Sequence, residues 1–251
     1  MIRQKTAQGA GVSMRIGPEI AVLLVVLPTC AALVCSMPTT GGALGELPAT
    51  FRGLVPCADC PGIDYQLNLF DDGVFYLGMT YRERGDAAFY DIGSWSIDPS
   101  GESLALSGGA ETPTICRIVD ANTLRLLDRN GEEIPSSLNY DLRRAGEFVA
   151  IEPRLDMRGM YSYLADAGLF TECLTGRKML VAPESDNAAL ERAYLKTRRE
   201  SGEELLASFE GRIEMRPPME GDDLLPTVVV EKFHSILPGE TCQSASTPRQ
   251  R

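Results

Sequence analysis

Tyr65-Gln66-Leu67-Asn68-Leu69, then Asp71-Asp72-Gly73, then Val74-Phe75-Tyr76-Leu77-Gly78-Met79 decide the fold class. The first run alternates apolar and polar residues, the middle triplet is turn chemistry, and the last run is aromatic and β-branched. Together they predict a β-hairpin. Outward from it the pattern repeats. Gly93-Ser94-Trp95-Ser96-Ile97 reads as a strand closed by Asp98-Pro99-Ser100-Gly101. Leu104-Ala105-Leu106, Ile115–Ile118, Leu124–Leu127 and Tyr140-Asp141-Leu142 continue it, with Asp120-Ala121-Asn122 and Asp128–Gly131 as turns. Strands at roughly ten-residue spacing predict an antiparallel meander, sandwich or barrel. An up-and-down barrel could enclose an apolar ligand.

Past Ile151-Glu152-Pro153-Arg154, read as a linker, the pattern changes. Met157–Leu164, Phe170–Gly176 and Lys178–Val181 read as strands, Leu205–Met215 and Thr227–Leu237 as longer ones. Between them a helix is expected from Ser185 or Asp186 to about Arg198, with Leu190, Ala193 and Tyr194 facing inward. Five strands and one helix fit a small oligonucleotide/oligosaccharide-binding (OB) barrel. The net charge of -11 argues against nucleic acid as its ligand.

The chain begins differently. Arg3, Lys5 and Arg15 precede an apolar run from Ile20 to Leu27, with Leu33, Val34 and Cys35 beyond. That is the layout of an export signal, too short for the ~20 apolar residues of a membrane-spanning helix. A cysteine at its end suggests lipid attachment, at Cys30 after Leu27-Pro28-Thr29 or at Cys35 after Ala32-Leu33-Val34. Ser36 to Thr50, rich in Gly, Pro, Thr and Ala, reads as a flexible tether.

Cys57-Ala58-Asp59-Cys60-Pro61-Gly62 carries the chemistry. Two thiols three positions apart can close a small disulfide, sense redox state, or hold one soft metal ion. A strand follows them instead of a helix N-terminus, which excludes a thioredoxin-like oxidoreductase. The one histidine, His234, argues against a His-based zinc or copper site and against most His-dependent acid–base catalysis. No nucleophile–base–orienter set is visible, so the chain reads as non-enzymatic. Trp95, Met157 and Met160 read as core residues.

Two stretches carry a family resemblance. Phe51 to Ile63, spanning the Cys-x-x-Cys, resembles the first-domain signature of the NlpE family of bacterial envelope lipoproteins. Met157 to Ala167, Phe170 to Lys178, Leu190 to Leu195 and Cys242 are similar to its second domain, in the same order. The resemblance implies a mainly β protein: a lipocalin-like N-terminal antiparallel β-barrel, then an OB-type barrel with one helix. It further implies lipid anchoring in the outer membrane, at the periplasmic face or the cell surface. Copper homeostasis, surface adhesion and envelope-stress signalling to a Cpx-type sensor kinase are the implied roles. The division expected is 1–35 export signal, 36–50 tether, 51–150 first domain and 155–243 second domain. A carrier of small lipophilic ligands is the alternative.

Outside the cytoplasm cysteines tend to pair. Cys57–Cys60 and Cys173–Cys242 are the expected disulfides, the family being similar in having such a pair in its second domain, and Cys116 is expected free in a strand. No cofactor is required. Copper at reduced Cys57 and Cys60 is the metal hypothesis.

Overall fold

The computed structural model describes residues 42–85, 87–217 and 224–243. The expected export signal, with Cys30 and Cys35, lies outside them. Thirteen strands and one helix among the described residues form two closed barrels. Among the described residues no helix is long and apolar enough to cross a membrane.

The first barrel runs β1 (Ala49–Val55), β2 (Ile63–Leu69), β3 (Val74–Tyr81), β4 (Ala88–Ile97), β5 (Ser103–Ser107), β6 (Thr114–Asp120), β7 (Thr123–Leu126) and β8 (Asp141–Arg144). Each pairs antiparallel with the next, and β8 returns to β1, Phe51 opposite Arg144. The β2–β3 hairpin turns where the sequence places it. Gly73 takes a left-handed φ of 81° and Asp72 Oδ1 accepts from the Val74 amide at 3.2 Å. The inward period-two face is filled by Phe51, Leu67, Phe75, Leu104 and Leu124, each at most 1% exposed. Burying each such side chain stabilises by about 1.5–3 kcal/mol.

The second barrel uses β9 (Arg154–Leu164), β10 (Ala167–Glu172), β11 (Lys178–Val181), α1 (Asn187–Thr197), β12 (Leu205–Arg216) and β13 (Leu225–Leu237). The ring order is β10-β11-β13-β12-β9, closed by β9 on β10, with β11 and β13 parallel. The helix bridges β11 to β12 and buries Leu190 and Tyr194. The Tyr194 ring meets Tyr161 edge-on at 5.2 Å, and its hydroxyl donates to the Glu203 carbonyl at 2.8 Å.

Four expectations change. Asp186 does occupy the N-cap, but its carboxylate does not cap the helix; it accepts from the Phe233 amide at 2.8 Å, tying the helix start to β13. Ala193 is only half-buried, so the inward face of α1 rests on Leu190 and Tyr194. The described end of the expected tether is part of the barrel. Leu44 is buried, Arg144 donates to the Leu44 and Glu46 carbonyls, and Ala49-Thr50 already belong to β1. The expected linker is packed instead of loose. Ile151 is 7% exposed in a core shared with Tyr76 and Met157, and its amide donates to Asn68 Oδ1 at 2.7 Å. Just before it, the Val149 carbonyl collects donors from Thr50, Gln66 and Asn68. A buried Asn is costly unless its amide is satisfied, so Asn68 fixes this segment to the first barrel.

Candidate functional site

The loop after β1 brings Cys57 and Cys60 together as a disulfide, Cα to Cα 5.3 Å. It lies at one mouth of the first barrel, half-buried, with Asp59 exposed between the sulfurs. Asp59 forms an ion pair with Arg84 from the β3–β4 turn. Only glycine fits at position 62: φ is 152°, and a Cβ would stand 2.6 Å from the Leu54 side chain and 3.2 Å from the Val55 carbonyl. The chain can therefore re-enter the sheet as β2 immediately. No helix dipole faces either sulfur.

The donor atoms of Cys57, Asp59 and Cys60 lie within 4.8 Å of one another. While the sulfurs are bonded to each other they are not thiolates, and a soft ion needs thiolates. The set fits copper only after two-electron reduction.

The second disulfide, Cys173–Cys242, joins residues 69 apart with Cα atoms 5.2 Å apart. It ties the β10–β11 turn to the segment beyond β13. That turn is held by Glu172, 2% exposed, whose carboxylate accepts from the Leu174 amide, the Thr175 amide at 2.7 Å and the Thr175 hydroxyl at 2.8 Å. On the same turn Arg177 reaches into the first barrel. Its guanidinium donates to both Asp72 oxygens at 2.6 and 2.7 Å and to the Tyr76 hydroxyl at 2.8 Å. It also stacks 4.3 Å from the Phe70 ring centroid, with its side chain only 9% exposed. Burial raises the Tyr76 phenol above its ordinary value, and the nearby Arg177 charge opposes that. The disulfide-bonded turn of the second barrel is thus the anchor that docks on the β2–β3 turn of the first. Arg177 and Glu172 escaped the sequence reading, because each acts through partners that local pattern does not reveal.

Cys116 is free and buried in β6. Desolvation pushes its thiol up to about 12, so it carries no thiolate at neutral pH.

The inner face of the first barrel is occupied by its own side chains. A groove of about 1110 Å³ runs instead along the outside of β1–β4 beside residues 150–154, walled by Arg52, Gln66, Tyr90, Glu152 and Arg212 among others. Charged walls suit no apolar ligand, so the carrier alternative gains nothing from this groove.

Met157 is buried, while Met160 is half-buried. A Met-x-x-Met thioether pair is therefore not presented to solvent. One further cluster, Asp156, Glu210 and His234, gathers on the outside of the second barrel. Its members are so far apart in sequence that only the register of three strands unites them.

Family models match both halves of the chain: the NlpE N-terminal domain at residues 51–137 and the NlpE C-terminal OB domain at 151–243. Lipoprotein NlpE of Escherichia coli strain K12 is 35% identical over 214 residues, which cover 82% of this chain and 86% of the relative. Among solved structures, the Cpx pathway activator NlpE from Escherichia coli is 32% identical, covering 79% of this chain and 100% of its own, with a TM-score of 0.36. A solved chain from Shewanella oneidensis is 28% identical, covering 44% of this chain and 98% of its own, with a TM-score of 0.37. Those superpositions are too weak to argue from; the sequence identity carries the relationship.

Proposed function

Since this chain belongs to the NlpE family, we propose that it is an outer-membrane lipoprotein serving copper homeostasis and Cpx-type signalling of envelope stress and surface adhesion, without catalysis. The acyl anchor is Cys35 or Cys30, and the partner is a sensor kinase of the Cpx type. The Escherichia coli relative is itself described as a Cpx pathway activator.

The observation that supports the reading best is the bond between Cys173 and Cys242 on the turn that also docks the two barrels. Where envelope oxidation fails, this bond does not form. The segment past β13 then loses its covalent tie to the β10–β11 turn, and among its remaining contacts is the half-exposed Arg158–Glu240 pair at 3.1 Å. An exposed pair of that kind contributes about 0–1 kcal/mol, far less than the covalent tie it would be left beside. The loosened second barrel is what a partner would read.

The test is a Cpx-dependent reporter in cells whose own NlpE is replaced by this chain. Cys173→Ser should raise output over wild type; unchanged output would remove the redox reading. For copper, Cu(I) is titrated into the reduced protein and into a Cys57→Ser, Cys60→Ser variant. Equal uptake by both would rule out this site. Mass spectrometry of the membrane-extracted protein should find acyl chains on Cys35 or Cys30.

A further inference from the structure

Asp156 on β9, Glu210 on β12 and His234 on β13 stand together on three neighbouring strands. Register sets Glu210 opposite Asp156 on one side and opposite Lys232 on the other. His234 joins them through a bulge. Ser208 pairs Ser235 and Phe209 pairs Phe233, so the ladder passes over His234. Bulges of this kind re-aim one side chain out of the regular alternation. His234 Nε2 lies 3.3 Å from Asp156 Oδ1 and 3.8 Å from Glu210 Oε1, and the three donor atoms all fall within 4.8 Å of one another.

An ion that binds its ligands at about 2.0–2.2 Å holds neighbouring ligand atoms about 3–3.5 Å apart. The present spacing is therefore close to what one ion requires. The adjustment falls on side chains alone, since Asp156 is 80% exposed and Glu210 47%. We propose that Asp156, Glu210 and His234 form a surface site for a divalent cation of the zinc class, with water completing its shell. The donor chemistry chooses the class. One imidazole nitrogen with two carboxylate oxygens suits zinc-like ions; magnesium and calcium want oxygen alone, and Cu(I) wants sulfur. Lys232 competes for one of the three ligands, its ammonium 2.9 Å from Glu210 Oε1. The site uses neither disulfide and stands apart from the family reading, so either can fail without the other.

His234 is the one histidine of the chain, which gives its imidazole a single set of NMR signals. The full chain, with both disulfides formed, is freed of metal and titrated with Zn²⁺ at pH 7. The imidazole signals should move and saturate at one equivalent, while the same concentration of Mg²⁺ leaves them in place. His234→Ala should weaken Zn²⁺ uptake, measured by equilibrium dialysis, at least tenfold. Asp156→Asn with Glu210→Gln should do the same, and Lys232→Met should tighten binding. Unmoved imidazole signals in the wild type, uptake by His234→Ala equal to wild type, or weaker binding by Lys232→Met would each overturn the proposal.

Discussion

The two disulfides should differ in their worth, and the difference can be worked from the loops they close. Cys173–Cys242 spans 69 residues and Cys57–Cys60 only 3. In the chain-entropy account, removing the first from the unfolded ensemble costs about 4 kcal/mol and removing the second about 2 kcal/mol. Native strain would normally blur such a comparison. Here the β10–β11 turn stays held by the Glu172 carboxylate and the docked Arg177, so serines at 173 and 242 should leave that turn in place while the segment past β13 loosens. For a chain of this size 1 kcal/mol moves the melting temperature by roughly 2–4 °C. Cys173→Ser with Cys242→Ser should then melt roughly 8–16 °C below wild type, and Cys57→Ser with Cys60→Ser roughly 4–8 °C below. Calorimetry of the three oxidised proteins makes the comparison. Equal losses, or a larger loss from the short loop, would refute the argument that loop length sets the effect.

Three further outcomes follow from single contacts. Arg177→Met removes the charged hydrogen bonds to Asp72 and strands the buried Tyr76 hydroxyl, so stability should fall by about 2–3 kcal/mol. In a double-mutant cycle with Asp72→Asn, additive losses would show that the pair is not coupled. Cys116 should stay silent to thiol reagents at pH 8 in the native protein and react only on unfolding; rapid labelling of the folded chain would contradict its burial. The hydrogen bond from Arg125 holds the Asp141 carboxyl below its ordinary value. That stability is complete above the unfolded carboxylate value of about 4 and is lost as pH falls through the lower folded one. The gap between wild type and Asp141→Asn should therefore close in acid, and a constant gap from neutral pH downward would be the contrary result.

How much of this was legible depended on where each residue finds its partner. The hairpin at Asp71-Asp72-Gly73 and the strands after it announce themselves locally, by period-two alternation and turn residues. β1 gives no such signal on pattern alone. Its burial order interrupts alternation at Ala49-Thr50-Phe51, because Thr50 is buried too, against Val149 and Asn68; Phe51 was legible through the family signature instead. The stretch at 151–154 looked like a linker because Pro and charges dominate it. What packs it, Asn68 and Ile213, lies 83 and 60 or more residues away. The helix cap misled for a similar reason: Asp186 has the right chemistry for capping but finds a better partner at Phe233. The cluster around His234 was invisible: a lone histidine offers no spacing to read and argues against a zinc site built on histidines, whereas here two carboxylates from other strands stand beside it. The parallel pairing of β11 with β13 likewise has no local mark.

Both sheets curl until their first and last strands meet, which leaves neither with a whole strand free along one edge among the described strands. A protein partner therefore finds no full-length edge strand on which to lay a strand of its own, one common route to association between β proteins. Recognition must come through loops and projecting side chains. The same closure denies neighbouring copies of this chain an easy way to zip together.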